Sequence, residues 1–129
     1  SGKKALVIGR SRLVGMPQVI MFGSKGIDCT VTLAHSRTKN LDDLISESEI
    51  VVPAIGVPGI INSKNVKKDA ILLDVGISSD DKGIHGDVDF DSVDGIAKAV
   101  TPMPGGTGPM TVACLMENTV AAAKLQGII

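Results

Sequence analysis

The chain has no tryptophan and no tyrosine, and its only aromatics are Phe22 and Phe90. Without aromatic platforms it has nothing on which to stack the bases of single-stranded nucleic acid. An excess of charge is also missing: 13 Lys and Arg against 14 Asp and Glu leave a formal net charge of −1. The two signs are interspersed, so there is no electrostatic footprint for nucleic acid or for an anionic membrane. No apolar run reaches the ~18 residues of a membrane span, and the first residues carry no signal-peptide pattern. Cysteine is scarce. Cys29 and Cys114 lack metal-ligand spacing and sit in apolar segments. They read as buried thiols of a reducing compartment, with a single disulfide as the alternative.

What is present is aliphatic and punctuated by glycine. The 129 residues fit one domain with a sizeable core, residues 1–129. The chain enters a strand almost at once, as a fragment cut at a domain boundary would. Lys4 to Gly9 is a continuous apolar run ending in glycine, the pattern of a strand buried on both faces. Pro17 to Lys25 is helical, with Gly26 as its stop. Asp28 to Leu33 is a β-branched strand. Asn40 to Ser48 is a helix capped by Asn40. Ile50 to Ile55 is a third strand, where Pro53 predicts a bulge or the end of pairing. Asn62 to Val66 is a helical turn, Ala70 to Val75 a fourth strand, and Ser78 to Asp89 a polar excursion suited to a hairpin. Asp91 to Val93 is one helical turn and Ala97 to Thr101 a fifth strand. A Pro/Gly loop, Pro102 to Pro109, precedes the best helix, Met110 to Leu125. Val112, Leu115, Met116, Thr119, Val120 and Ala123 share one face of it and are expected in the core.

Strands alternating with helices predict an α/β fold: a Rossmann-like, doubly wound, mostly parallel sheet with helices on both faces. Such sheets bind ligands at the carboxyl ends of their strands. The polar, glycine-rich segments fall there: Gly9–Gly15, His35–Thr38, Gly56–Gly59, Gly76–Ser79 and Pro102–Gly108.

Gly9-Arg10-Ser11-Arg12-Leu13-Val14-Gly15 leads from strand to helix, where free amides suit an anion. It is not a strict G-x-G-x-x-G, and a plain tight turn is the alternative. The end of the second strand favours phosphate. It carries Ala34-His35-Ser36-Arg37-Thr38, with hydroxyls and cations but no carboxylate for a ribose. A 2′-phosphate wants such partners, and Arg10 comes from an independent loop, so NADP is favoured over NAD. Asp74 reads as a structural carboxylate bonding loop amides, and His85 as solvent-exposed. No catalytic triad or metal set is visible, so no catalytic residue is assigned.

These stretches together resemble the bifunctional methylenetetrahydrofolate dehydrogenase/cyclohydrolase family. The resemblance covers essentially the whole chain but only the cofactor-binding half of that family's subunit. It rests on Gly9, Arg10, Ser11, Val14, Gly15 and Pro17; on His35, Ser36 and Thr38; on Asp74 to Ile77; on Gly86 to Phe90; and on Thr101 to Thr111. The resemblance implies hydride transfer from methylene-tetrahydrofolate to NAD(P), usually followed by hydrolysis of the methenyl ring. It implies that Gly9, Arg10, Ser11 and Gly15 bind cofactor phosphates, that His35, Ser36 and Arg37 lie by the 2′-phosphate, and that Gly76 and Ile77 meet the nicotinamide end. Thr111 belongs to the same cofactor set. Pro104, Gly105, Gly106, Thr107 and Gly108 are implied to line the folate cleft, although Thr107 stands where the family usually has valine. The catalytic lysine and tyrosine are implied to belong to an amino-terminal domain. The intact protein is implied to be a homodimer of the cytoplasm, or of mitochondria or plastids in a eukaryote. A shikimate-type NADP dehydrogenase and a non-catalytic nucleotide-binding module are the alternatives.

Overall fold

The computed structural model describes residues 1–81 and 83–129. Its centre is a five-stranded parallel sheet in the order β2-β1-β3-β4-β7. The strands are β1 (Lys4–Ile8), β2 (Thr30–Ala34), β3 (Ile50–Pro53), β4 (Ile71–Leu72) and β7 (Ala99–Val100). Position in the sheet explains their composition. β1 and β3 have neighbours on both sides, and their side chains are buried nearly throughout. β2 is an edge strand; Thr30 and Thr32 alternate outward while Val31 and Leu33 turn inward. Pro53 ends β3 without a defect. It lacks only an N–H, and its carbonyl accepts from the N–H groups of Val75 and Gly76.

Helices lie on both faces. α1 (Gly15–Gly23) packs on β1 and β2, with Gly23 beside Val31. On the other face, Leu6, Ile8, Val51 and Leu72 form the main core with Ile45 of α2 (Leu41–Glu47), Ile61 and Val93 of α3 (Phe90–Val93). The excursion is an antiparallel hairpin of β5 (Ser78–Asp80) and β6 (Gly83–His85); Lys82 lies outside the described residues. Asn40 does not cap α2 through its side chain. It adopts a left-handed conformation, φ 54°, and makes no side-chain cap bond. The predicted ends of the first, third, fourth and fifth strands overshoot, because pairing stops where the chain leaves for the carboxyl-edge loops; the second strand ends one residue later than predicted, at Ala34.

Two expectations about burial are corrected. α4 (Thr107–Leu125) forms as foreseen but begins three residues earlier, with Pro109 inside its first turn, where an N–H is not needed. None of its residues is buried. Leu115 and Met116 are each 63% exposed and Val120 45%, so the face read as core is an open apolar stripe. A helical period reports an apolar face, not which surface covers it. Cys114 lies on this helix and is exposed, Cys29 is half-buried, and both are free thiols. Serine at Leu115 and Val120 is therefore expected to change the stability of this chain by no more than about 0.5 kcal/mol. Calorimetric melting checks this. A loss of about 2 kcal/mol or more, as for core residues, would contradict the exposure.

Candidate functional site

The chain leaves β1 to one side for β2 and crosses to the other for β3, so the topological switch point lies between β1 and β3. Gly9 sits at that point, with φ 118° and its N–H donating to the carbonyl of Ala34. The loop then folds tightly onto itself. Ser11 Oγ accepts from the N–H of Val14 at 3.1 Å and of Gly15 at 3.4 Å. A Cβ at Gly15 would overlap the Gly9 carbonyl, which is why glycine is required there. Ser11 thus shapes the loop from within, while Arg10 and Arg12 project into solvent.

The neighbouring loop follows β2. Ile8 and Ala34 are register partners, so the Arg10 loop and the His35 turn leave the sheet side by side. His35 donates its N–H to Thr38 Oγ1 at 2.8 Å, accepts the Thr38 N–H at its carbonyl and accepts the Arg37 N–H at Nδ1. This closed turn leaves Ser36 and Arg37 exposed at its tip. Among the described residues Arg10, Arg12 and Arg37 have no carboxylate partner. Three uncompensated guanidinium groups thus stand on two adjacent loops at a helix N-terminus, an arrangement suited to a phosphorylated ligand.

The loops after β3 and β4 form an apolar shelf next along the edge. Ile55, Val57 and Ile77 are 39%, 47% and 65% exposed. Beneath them lie two buried carboxylates. Asp74 accepts from the N–H of Asp87 and of Val88, each at 3.0 Å, so it bonds loop amides as the sequence suggested. Asp87 Oδ2 accepts from the N–H of Ile55 at 2.9 Å and of Gly56 at 3.1 Å. Asp74 also donates its N–H to Thr101 Oγ1 and accepts Thr107 Oγ1–H at its carbonyl. The Pro102–Gly106 loop is therefore tied at both ends to Asp74, two residues beyond β4. Thr107 and Gly108 lie in the first turn of α4, not in the loop. The Thr111 hydroxyl bonds back to the Thr107 carbonyl. A cavity of about 370 Å³ beside this loop is lined by Asp74, His85, Phe90, Thr101 and Met103 among others. His85 is half-exposed, its Nε2 2.9 Å from Asp80 Oδ1.

Sequence reasoning includes Asp87 only within the Gly86–Phe90 stretch of the resemblance and gives it no role. It lies inside a polar stretch that reads as surface, and no local pattern shows that the hairpin returns it beneath the sheet edge. No set of His, Cys, Asp and Glu among the described residues is placed to hold a metal ion, and no helix there is long and apolar enough to cross a membrane.

Burial raises the Asp74 carboxyl above its ordinary 3.8, and the nearby Asp87 charge adds to this, against the lowering by the Val88 and Asp87 amides. A carboxyl with a raised folded-state pKa holds its proton longer in the folded chain. Folding stability therefore falls as pH rises from about 4 through the raised value. Asp74→Asn should remove that fall. Denaturation between pH 4 and 8 is expected to show the wild-type chain losing stability relative to the variant; parallel curves would contradict the shift.

A doubly wound sheet with a glycine-bounded loop at its switch point defines the Rossmann-like class of nucleotide-binding domain. Within that class, the family model described as "Tetrahydrofolate dehydrogenase/cyclohydrolase, NAD(P)-binding domain" matches residues 1–127. The chain belongs to this family. It is 53% identical over 126 residues to a "Bifunctional protein FolD" of Lactococcus lactis, and 49% identical over 124 residues to one of Pelagibacter ubique. These matches cover 95% and 96% of the chain but 43% of each relative, so the chain spans less than half the length of these curated relatives. Among solved structures it is similar to a methylenetetrahydrofolate dehydrogenase of the silkworm Bombyx mori (TM-score 0.93, 43% identity, 99% of this chain, 46% of that one). It is also similar to the Trypanosoma brucei dehydrogenase-cyclohydrolase complexed with NADP cofactor and inhibitor (TM-score 0.90, 35% identity, 99% of this chain, 46% of that one).

Proposed function

We propose that this chain is the cofactor-binding part of an NADP-dependent methylenetetrahydrofolate dehydrogenase that also carries cyclohydrolase activity. The observation that carries the cofactor reading is that Arg10 stands with Ser36 and Arg37 on two adjacent loops, the two arginines without carboxylate partners among the described residues. Gly9, Arg10, Ser11 and Gly15 frame the pyrophosphate, through loop amides and the α1 dipole. His35 holds the turn that offers Ser36 and Arg37 to the 2′-phosphate. Gly76 and Ile77 meet the nicotinamide end, with Thr111 at the start of α4 completing the cofactor set. Pro104, Gly105, Gly106, Thr107 and Gly108 form one wall of the folate pocket. The cofactor, when bound, supplies the hydride acceptor; these residues bind and orient it.

The second wall and the acid–base groups belong to an amino-terminal domain. Supporting this is the open apolar stripe of α4, a surface of the kind a partner domain covers. The intact protein is a homodimer of the cytoplasm. A steady-state assay with methylene-tetrahydrofolate and NADP, on the chain joined to that upstream domain, tests the whole reading. Absence of cofactor reduction would refute it.

A further inference from the structure

We infer that Asp87 is a positioning residue, which with Asp74 clasps the loops after β3 and β4 into the shelf that meets the nicotinamide end of the cofactor. The inference rests on the cofactor reading above and extends it to a residue that touches no ligand.

Asp87 is fully buried, and its carboxylate reaches two loops at once. Oδ2 takes the consecutive N–H groups of Ile55 and Gly56, after β3. The same carboxyl group fills the space that a Cβ at Gly76, after β4, would occupy. These are the loops that carry Ile55 and Ile77, the exposed apolar side chains of the shelf. Asp87 is itself held from below. Its N–H and that of Val88 donate to the two oxygens of Asp74, and its carbonyl accepts from Ile61. Gly86 has no room for a side chain against the Asp74 carboxyl, so the two acids and two glycines interlock.

A simple strut would not need a charge here. Burying a carboxylate is costly unless it is well bonded, and apolar residues of similar volume often stabilise as well or better. This one also leaves Oδ1 buried without a hydrogen-bond partner among the described residues. Such a group persists where the geometry it imposes matters more than its cost. What it imposes is the direction of the Ile55 and Gly56 amides and the closeness of Gly76, which together set the level of the shelf. Charge-assisted bonds to backbone N–H are short and directional, so they fix position better than apolar contact.

The test uses Asp87→Ala and Asp87→Asn in this chain with two probes. Adenosine 2′,5′-bisphosphate reports the Arg10 and Arg37 end alone, by calorimetry. NADPH fluorescence enhancement reports immobilisation of the nicotinamide ring. The bisphosphate affinity is expected to stay within about twofold in both variants, because the Asp87 carboxylate bonds the loop after β3 and makes no hydrogen bond to the Arg10 or His35 loops. The NADPH enhancement is expected to fall by about tenfold in Asp87→Ala and less in Asp87→Asn, which keeps an acceptor for the two amides. A folded Asp87→Ala with the wild-type signal overturns the inference, as does a parallel loss of both probes in Asp87→Asn. If the alanine variant does not fold, Asp87→Asn decides: a partial loss supports the clasp and a wild-type signal overturns it. A wild-type chain that binds neither probe refutes the cofactor reading itself, and the inference with it.

Discussion

These 129 residues alone are expected to show no measurable dehydrogenase or cyclohydrolase turnover, and to gain it when the upstream domain is supplied in cis or as a separate polypeptide. Hydride transfer needs the folate methylene carbon held against the nicotinamide ring. Hydrolysis of the methenyl ring needs a positioned acid or base. The proposed pocket has one wall here, Pro104 to Gly108, and no acid or base on it. Lys3, Lys67, Lys68 and Lys98 gather around another pocket, with Glu49 and Asp69. They flank the strand starts at Lys4, Ile50, Ile71 and Ala99, at the opposite end of the sheet from the glycine loops. His85 faces Asp80 on the hairpin. The expected gain runs from no detectable rate to steady turnover. Robust turnover by the chain alone would mean that a catalytic group has been overlooked, with His85 the first to replace.

Arg10→Ala should weaken NADP binding by about 10- to 100-fold, because charge-assisted bonds to a phosphate contribute roughly 1.5–3 kcal/mol. NAD, which has no 2′-phosphate, should lose much less. The guanidinium is exposed, so the difference should narrow as ionic strength rises and screening sets in. Calorimetry with both cofactors at low and high salt checks both points. Equal losses for NADP and NAD would show that Arg10 does not read the 2′-phosphate. Arg37, on the adjoining turn, would then be the next residue to replace.

Much of the fold was legible because its signals are local. Lys4 to Gly9 and Ile50 to Ile55 are continuous apolar runs, the pattern of a strand covered on both faces. The carboxyl-edge clustering of Gly9–Gly15, His35–Thr38 and Gly76–Ser79 followed from element order alone. What could not be read depends on contacts distant in sequence. The α4 period is helical whether or not anything packs on it, so Leu115 and Val120 were placed in the core. Thr107 stood out only as a departure from valine. The fold shows its hydroxyl on the Asp74 carbonyl, 33 residues away in sequence, a bond valine cannot make. Asp87 reaches Ile55 across 32 residues, through a hairpin whose return path no local propensity dictates.

The Thr107–Asp74 bond also gives α4 a pivot. A helix of 19 residues is about 28 Å long, and this one is rooted at Asp74, two residues beyond β4, in the loop that carries Ile77. A tilt of about ten degrees at the root sweeps the far end through about 5 Å. By lever geometry alone, a small shift of the Asp74 backbone is thus magnified at Leu125, the far end of the helix.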